Sequence, residues 1–293
     1  MTRCAAPHVC AVTEPDARSH RAPTLDSAVR VWTLGSGSQG NAALIEWDDH
    51  RFLIDAGFDL PELVHRLRSA GVAPATVDEV FLTHGHRDHV LGAADGARTY
   101  GWRLWCTLGT VWRWRALREV PLAPFAPGDS LDAAPFLIHT APTPHDVDDS
   151  SAVVVEVPAA RVRVGYCTDL GEVTPPVRAL LRDLDALIIE ANHDPGMLAA
   201  GPYPPEVRDR VAGPIGHLSN EQAAALVRDV ATDRLRHVVL AHVSRHNNDP
   251  VVAHARVAAA LDAAGVAAEL VVAPQDAVLG PLVLPSRVGA PGG

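Results

Sequence analysis

Thr83-His84-Gly85-His86-Arg87-Asp88-His89 places three imidazoles and one carboxylate within six residues, directly after the apolar run Val80-Phe-Leu82. Such a run is typical of a buried strand, so these polar groups are expected at a strand end. Desolvating them together costs free energy unless a cation binds their lone pairs. Imidazole nitrogen and carboxylate oxygen are preferred ligands of zinc and related metals. The segment therefore predicts a metal site.

Three single donors follow later in the chain, each where an apolar run ends. His145 lies in Pro142-Thr-Pro-His-Asp146, Asp169 follows Val164-Gly-Tyr-Cys-Thr168, and His242 follows Val238-Val-Leu-Ala241. Ligand sites are commonly built by loops at one edge of a sheet. If His84 and His86 serve one ion and Asp88 and His89 a second, these later residues complete a six- or seven-ligand dinuclear site.

The surrounding pattern predicts an α/β fold. Residues Ala42–Trp47 and Arg51–Ile54 are short apolar runs separated by Asp48-Asp49-His50, as in a β-hairpin. Strands and helices alternate in the second half, where Ser219-Asn-Glu-Gln222 is a capping box. Early hairpins favour a layered sandwich over a doubly wound parallel sheet. The other predicted strands are 30–34, 80–83, 152–157, 162–167, 186–190, 238–241 and 269–273; the predicted helices are 61–70, 176–182, 220–230 and 250–264.

The 293 residues, of which 47% are hydrophobic, can bury a large core. Residues 1–28 show no apolar periodicity and are interpreted as a loose N-terminal arm, and residues 285–293 as a C-terminal tail. A single domain over 29–284 lies between them.

Charge and cysteine content exclude several classes. The formal net charge is −10 and all 25 basic residues are Arg, so a polyanion must be bound by a local site. The four Cys lack the spacing of a disulfide framework or a zinc ribbon. We find no apolar run of about 18 residues and no signal-peptide core. A cytoplasmic protein is therefore expected, with no membrane association and no evident obligate protein partner.

Gly35-Ser-Gly-Ser-Gln-Gly40 matches the dinucleotide-binding fingerprint, and Asp55 lies twenty positions after Gly35. That fingerprint requires a helix to begin at its last glycine. Here the predicted hairpin leaves no room for one. We interpret the segment as a tight loop that allows close approach of the backbone to a ligand or strand.

The order His84-x-His86-x-Asp88-His89, then His145, Asp169 and His242, resembles the metallo-β-lactamase superfamily of binuclear hydrolases. The resemblance extends from Leu53-Ile-Asp55-Ala-Gly57 to Ala241-His-Val-Ser244 and implies a four-layered αββα sandwich. It implies that His84, His86 and His145 hold one ion, that Asp88, His89 and His242 hold the other, and that Asp169 bridges them. The ions are expected to be two Zn²⁺, with Mn²⁺ or Fe²⁺ as alternatives.

Ser36-Gly-Ser-Gln-Gly-Asn41, Glu190-Ala-Asn-His-Asp194, Gly201-Pro-Tyr-Pro204 and Gly216-His-Leu-Ser-Asn-Glu221 are similar to the YycJ/WalJ-type branch of that superfamily. This similarity implies a phosphodiesterase or exonuclease that attacks DNA or RNA with a metal-bridging hydroxide. Asp88 and His217 are the candidate catalytic residues, with His217 as proton donor or, alternatively, a loop-packing residue. Asp55 is expected to orient a ligand or the motif loop. Glu190, Asn192, His193 and Ser219 are expected to form buried hydrogen bonds or contact substrate.

Alternatives remain open. The same metals could hydrolyse a small-molecule thioester, ester or lactam, which the negative net charge favours slightly. A non-catalytic metal-binding protein would have lost ligands, whereas all seven expected positions carry competent side chains. Trp112, Trp114, Arg113, Arg115 and Arg118 are predicted on one helix, where they could bind nucleic acid. We favour instead core tryptophans with solvated arginines on the opposite face.

Overall fold

The computed structural model describes residues 28–288, and its chain forms two seven-stranded sheets that face each other. The first sheet has the order β14-β1-β2-β3-β4-β5-β6, and the second has the order β13-β12-β11-β10-β9-β8-β7. The strands are β1 (Val29–Gly35), β2 (Ala42–Trp47), β3 (His50–Ile54), β4 (Glu79–Phe81), β5 (Arg103–Cys106), β6 (Leu122–Pro124), β7 (Ser130–Ala133), β8 (Phe136–Pro142), β9 (Ser151–Val157), β10 (Val162–Cys167), β11 (Ala186–Glu190), β12 (His237–Ala241), β13 (Glu269–Val272) and β14 (Leu279–Leu284).

Helices connect the strands and cover the outer faces of both sheets. Short 3₁₀ helices lie at Pro74–Thr76 and Arg115–Glu119. Among the helices of the described residues, none combines the length and the apolar character that a bilayer crossing requires. The α-helices are α1 (Leu60–Ser69), α2 (Arg87–Val90), α3 (Ala93–Tyr100), α4 (Leu108–Arg113), α5 (Pro175–Leu180), α6 (Pro195–Ala200), α7 (Pro205–Ala212), α8 (Asn220–Val230) and α9 (Pro250–Ala264).

Three buried clusters divide the domain into four layers. The central cluster lies between the sheets and includes Phe52, Phe136 and Ile188. A second cluster packs α5, α8 and α9 against the outer face of the second sheet, and a third packs α1 and α3 against the first. The four-layered αββα sandwich expected from the sequence is thus confirmed.

Local sequence signals set several element boundaries. The predicted hairpin forms between β2 and β3, with Ala43 paired to Ile54 and Trp47 to His50. At the start of α8, the Ser219 hydroxyl accepts the Gln222 amide at 3.2 Å, and the Gln222 side chain accepts the Ser219 amide at 2.8 Å. Helix α9 ends at Gly265, whose φ of 68° is in the left-handed region.

The glycine-rich segment after β1 is a tight loop and not the start of a helix. Strand β2 begins at Ala42 and pairs antiparallel with β1, so no crossover helix follows. A Cβ added at Gly40 would lie 2.5 Å from the Phe58 ring, which explains the absence of a side chain there. This geometry agrees with our rejection of the dinucleotide fingerprint.

The predicted arm and tail fall largely outside the described residues. Residues 1–27 and 289–293 are not described. Residues 285–288 of the expected tail lie against the domain, where Arg287 Nε donates to Asp185 at 2.6 Å and the Arg287 amide donates to the Ala160 carbonyl at 2.8 Å.

Candidate metal centre

The candidate site lies where strands of both sheets end at one edge. Strands β3 to β6 are mutually parallel, and so are β10 to β13, which brings their carboxyl ends together within each sheet. Asp55, Asp169 and His242 each follow one of these strands and adopt φ of 61°, 61° and 51°. Residues other than glycine rarely occupy this left-handed region, and such strain is typical of functional sites.

The three imidazoles of His84, His86 and His145, here named the imidazole triad, face one another. His86 Nδ1 lies 3.2 Å from His84 Nε2 and 3.1 Å from His145 Nε2. Two tetrahedral ligands bonded to zinc at about 2.0–2.1 Å are about 3.4 Å apart. The spacing therefore fits a shared ion.

Asp88, His89 and His242, here named the mixed triad, lie beside the imidazole triad. Asp88 Oδ2 is 3.6 Å from His89 Nε2 and 3.6 Å from His242 Nε2. One donor atom from each of the three residues falls within 4.8 Å of the other two.

Asp169 lies between the two triads. Its Oδ2 is 3.2 Å from His89 Nε2, and its Oδ1 is 3.6 Å from His242 Nε2 and 3.8 Å from His145 Nε2. Asp169 Oδ2 and His242 Nε2 are buried and make no hydrogen bond within residues 28–288. Burying unpartnered polar atoms is costly, and divalent cations would satisfy both atoms. The donor set therefore fits metal ions.

The outward-facing ring nitrogens have partners that orient the imidazoles. His145 Nδ1 donates to the Gly216 carbonyl at 3.1 Å, and His89 Nδ1 donates to Asp55 Oδ2 at 2.7 Å. Thr83 lies between His84 and Asp55, because its hydroxyl is 3.0 Å from His84 Nδ1 and 3.0 Å from both Asp55 oxygens. With Nδ1 protonated, the Nε2 lone pairs of His145 and His89 point into the centre.

Two residues to which the sequence assigned no role also contact the donors. Asp146 Oδ1 is 3.3 Å from His86 Nε2, and its Oδ2 accepts Arg210 Nη1 at 2.8 Å. Asn41 donates to Asp88 Oδ2 at 3.2 Å and lies 3.0 Å from His89 Nε2. Asn41 stands at the end of the glycine-rich loop, and Asp146 is next to His145. Their positions depend on tertiary packing, although adjacency to His145 was a usable signal for Asp146.

Buried histidines of the two triads differ in their proton affinity. Burial lowers the pKa of His84 well below its ordinary value, and the nearby His89 lowers it further. Burial likewise opposes charging of His89, but Asp55, Asp169 and Asp88 outweigh it and raise the His89 pKa well above its usual range. Burial also opposes charging of His242, but Asp169 and neighbouring carboxylates outweigh it and raise the His242 pKa well above its usual range. His84 of the imidazole triad is therefore kept neutral, whereas His89 and His242 of the mixed triad form imidazole–carboxylate pairs.

Glu190 connects His217 to the centre. Its Oε2 accepts the amides of Leu170 and Leu218 at 3.2 Å each, and its Oε1 lies 2.6 Å from His217 Nδ1 and 3.4 Å from His242 Nδ1. Burial raises the carboxyl pKa, but His217 outweighs this effect and lowers the Glu190 pKa to about 2. Because both oxygens have partners within the protein, the geometry favours Glu190 as a positioning residue for His217.

The remaining candidate residues lie around this core. Asn192 donates to the His242 carbonyl at 2.9 Å. The Ser219 hydroxyl caps α8, as described above, by accepting the Gln222 amide. His193 is buried, and the carbonyl of His193 accepts the Asn220 amide at 2.9 Å. The structure thus brings the seven predicted donors together with Asp55, Glu190, Asn192 and His217, and leaves His193 and Ser219 at the periphery.

The predicted tryptophan- and arginine-bearing helix is wrong in two respects. Helix α4 ends at Arg113, and Trp114 separates it from the 3₁₀ helix that carries Arg115 and Arg118. Trp112 is 76% exposed and so is not a core residue. The exposed side chain escaped the sequence reasoning because a six-residue helix is too short for its periodicity to identify a buried face.

Comparison with known protein families identifies the family of this chain. The sequence model of the family described as the Beta-lactamase superfamily domain matches residues 50–243, which contain all seven predicted donors. The exodeoxyribonuclease YycJ of Bacillus anthracis is 28% identical over 239 residues, covering 79% of this chain and 89% of that relative. The exodeoxyribonuclease WalJ of Streptococcus pneumoniae is 29% identical over 230 residues, covering 75% and 84%.

A solved structure supports the same fold. The metallo-beta-lactamase fold protein YhfI from Bacillus subtilis superposes with a TM-score of 0.64 at 17% identity, covering 86% of this chain and 99% of that one. At this identity the likeness concerns the architecture alone.

Proposed function

This chain belongs to the beta-lactamase superfamily, and from that premise we propose that it is a metal-dependent phosphodiesterase that hydrolyses DNA or RNA. The observation that carries the proposal is the position of Asp169, within 3.8 Å of donors from both triads. Two overlapping sets of nitrogen and oxygen ligands suit a pair of divalent cations, for which Zn²⁺, Mn²⁺ and Fe²⁺ are candidates.

The kind of substrate is inferred from the relatives. Two of them are named exodeoxyribonucleases, and each alignment covers three quarters or more of this chain. When bound, two divalent cations lower the pKa of a water molecule and offset charge on a phosphate. The imidazole triad and Asp169 would hold one cation, and the mixed triad and Asp169 the other.

Asp88 and His217 are proposed to act on the reacting groups. The described contacts of the Asp88 carboxylate involve Oδ2, and its side chain is 23% exposed. Its second oxygen can therefore accept a hydrogen bond from the attacking water. Glu190 holds His217 Nδ1 at 2.6 Å, and the His217 side chain is 21% exposed. His217 Nε2 is thus free to donate a proton to the leaving oxygen.

The test is degradation of labelled single-stranded DNA, double-stranded DNA and RNA by the Zn²⁺- or Mn²⁺-loaded protein. We expect cleavage that a chelator abolishes and that Asp169→Asn lowers by about a thousandfold or more, because a metal centre supplies several kcal/mol of charge stabilisation. Hydrolysis of thioesters, esters or lactams without cleavage of any oligonucleotide would overturn the proposal in favour of the small-molecule alternative.

His217 has a separate test. General acid catalysis contributes about 10²–10⁴-fold, so His217→Gln should lower kcat by that factor and leave the bound metal unchanged. As a control, His254→Gln alters an exposed histidine whose Nε2 lies 3.2 Å from the Leu270 carbonyl, and it should retain full activity. Loss of metal together with activity in His217→Gln would instead indicate a metal ligand.

A further inference from the structure

Helix α4 exposes large apolar side chains beside the metal donors. Trp112 is 76% exposed and Leu108 is 61% exposed, and their i,i+4 spacing puts them on one face of the helix. Within the described part of the chain, Trp112 is the one aromatic side chain among the exposed large hydrophobics. An exposed indole of this kind next to a reaction centre indicates a binding surface.

Contacts on two sides hold α4 against the loops that carry the donors. Trp114 Nε1, just after the helix, donates to the Gly85 carbonyl at 2.8 Å. The Gly109 amide donates to Asp149 Oδ2 at 2.9 Å, in the loop that also carries His145. Arg118 Nη2 donates to the Trp112 carbonyl at 2.8 Å. The exposed face of α4 is therefore fixed in position relative to the centre.

Arg113 adds a positive charge at the same place. A Cβ on Gly85, between His84 and His86, would lie 3.0 Å from Arg113 Cδ. Arg113 is exposed and forms no ion pair with any residue among 28–288. Arg210, by contrast, already forms an ion pair with Asp146 Oδ2 at 2.8 Å. In a protein of net charge −10, a guanidinium without an acidic partner beside the donors favours a phosphate ligand.

We propose that Trp112 and Arg113 form a platform for unpaired nucleotides next to the scissile phosphodiester. A base stacks on the Trp112 indole while the Arg113 guanidinium binds an adjacent phosphate. Base stacking on aromatic side chains tolerates any sequence, which suits a nuclease without sequence preference. This inference rests on the proposed function and adds to it the residues that bind the nucleotide chain.

The test compares the loss of the indole, in a protein variant, with the loss of the base, in an abasic oligonucleotide, first separately and then together. The KM of the metal-loaded protein is measured for a single-stranded oligonucleotide and for one of equal length with abasic sites at the nucleotides flanking the cleavage site. We expect Trp112→Ala to raise KM about 5- to 140-fold for the normal oligonucleotide and much less for the abasic one. Trp112→Phe should restore most of the loss.

Arg113 is tested by salt dependence. Arg113→Gln keeps a polar side chain but removes the positive charge and with it one phosphate contact, so the slope of log KM against log salt should fall by about 0.7–1. Trp112→Ala should leave this slope unchanged.

Matched controls lie away from the site. Val283 is 49% exposed in β14, at the edge of the first sheet opposite β6. Arg68 lies in the last turn of α1, which runs back from the carboxyl end of β3 to the start of the parallel strand β4. Val283→Ala and Arg68→Gln should therefore change neither KM nor the salt slope.

The outcomes separate the two proposals. Equal effects of Trp112→Ala on normal and abasic oligonucleotides would overturn stacking and leave the nuclease proposal standing. A change of oligomeric state in Trp112→Ala with unchanged KM would also overturn the platform, since it would assign the indole to an interface between protein chains. If the unsubstituted protein degrades no nucleic acid at all, the proposed function fails and the platform fails with it.

Discussion

The imidazole triad and the mixed triad each take two donors from the segment 84–89, yet the electrostatic surroundings shift the pKa of a histidine in each triad in opposite directions. His84 and His89 are five residues apart and fully buried, but the pKa of His84 is lowered and that of His89 is raised. The difference arises from carboxylates near His89: Asp55, which lies 2.7 Å from His89 Nδ1, has the largest effect, and Asp169 and Asp88 add to it. Burial alone keeps an imidazole neutral, and a buried carboxylate reverses that effect.

The largest expected effect comes from removing what the triads share. Asp169→Ala deletes the carboxylate that approaches donors of both triads, so both of the proposed metal ions and at least about a thousandfold in activity should be lost. Metal content by mass spectrometry and oligonucleotide cleavage would measure this. A variant that retained two ions per chain would show that the triads are independent of Asp169.

Breaking one triad at a time should distinguish them. We expect His86→Ala to lose the ion of the imidazole triad and His242→Ala the ion of the mixed triad, because each removes a direct ligand. Each variant should then bind about one ion per chain by titration. Loss of both ions from both variants would mean that the triads bind metal only as a unit.

The carboxylates behind the ligands should have smaller effects. Removing a group that orients a metal ligand typically costs about 10–100-fold in metal affinity. Asp55→Asn should lower the metal affinity by a factor near the upper end of this range, because the Asp55–His89 pair is fully buried and its atoms are 2.7 Å apart. Asp146→Asn should fall near the lower end, because Asp146 is 22% exposed and 3.3 Å from His86. Competition with a chromophoric chelator would measure both affinities, and the reverse order would contradict the assignment.

The smallest effects should come from two glycines. A Cβ at Gly57 would lie 1.7 Å from the Asp88 carbonyl, whereas one at Gly85 would lie 3.0 Å from Cδ of the flexible Arg113 side chain and in ordinary contact, 3.4 Å, with Thr110 Cα. Gly57→Ala should therefore destabilise the fold by about 1–3 kcal/mol and weaken the mixed triad, and Gly85→Ala should be nearly neutral. Denaturant unfolding would measure the difference, and equal stability would show that the Asp88 backbone can shift freely.

Local signals in the sequence predicted much of the second half of the fold. Helix α8 was located by Ser219 and Gln222, and α9 by its span from Pro250 to the turn before Gly265. Strand β5, with only four residues, and β8, with a mixed burial pattern, gave no comparable signal. Periodicity reveals an element only when it is long enough to repeat.

In the candidate site, too, some residues were predictable from local sequence signals and others were not. The segment from His84 to His89 is recognisable because its donors are adjacent in sequence. Their positions after apolar runs made His145, Asp169 and His242 candidates, but only the resemblance to a family divided them between two ions. The contact of Asn41 with Asp88 depends on how separate loops pack, which no sequence spacing encodes, whereas Asp146, which contacts His86, was signalled only by its adjacency to His145.

The pairing of β14 with β1 sets an order of assembly during synthesis. Leu284 pairs with Val29 and Leu282 with Val31, so the first sheet is completed by its last strand in the chain. His242, the last of the seven donors, is translated before that strand. The nascent protein thus carries its whole set of proposed metal ligands while β1 is still an open edge, which can pair with other chains until β14 covers it.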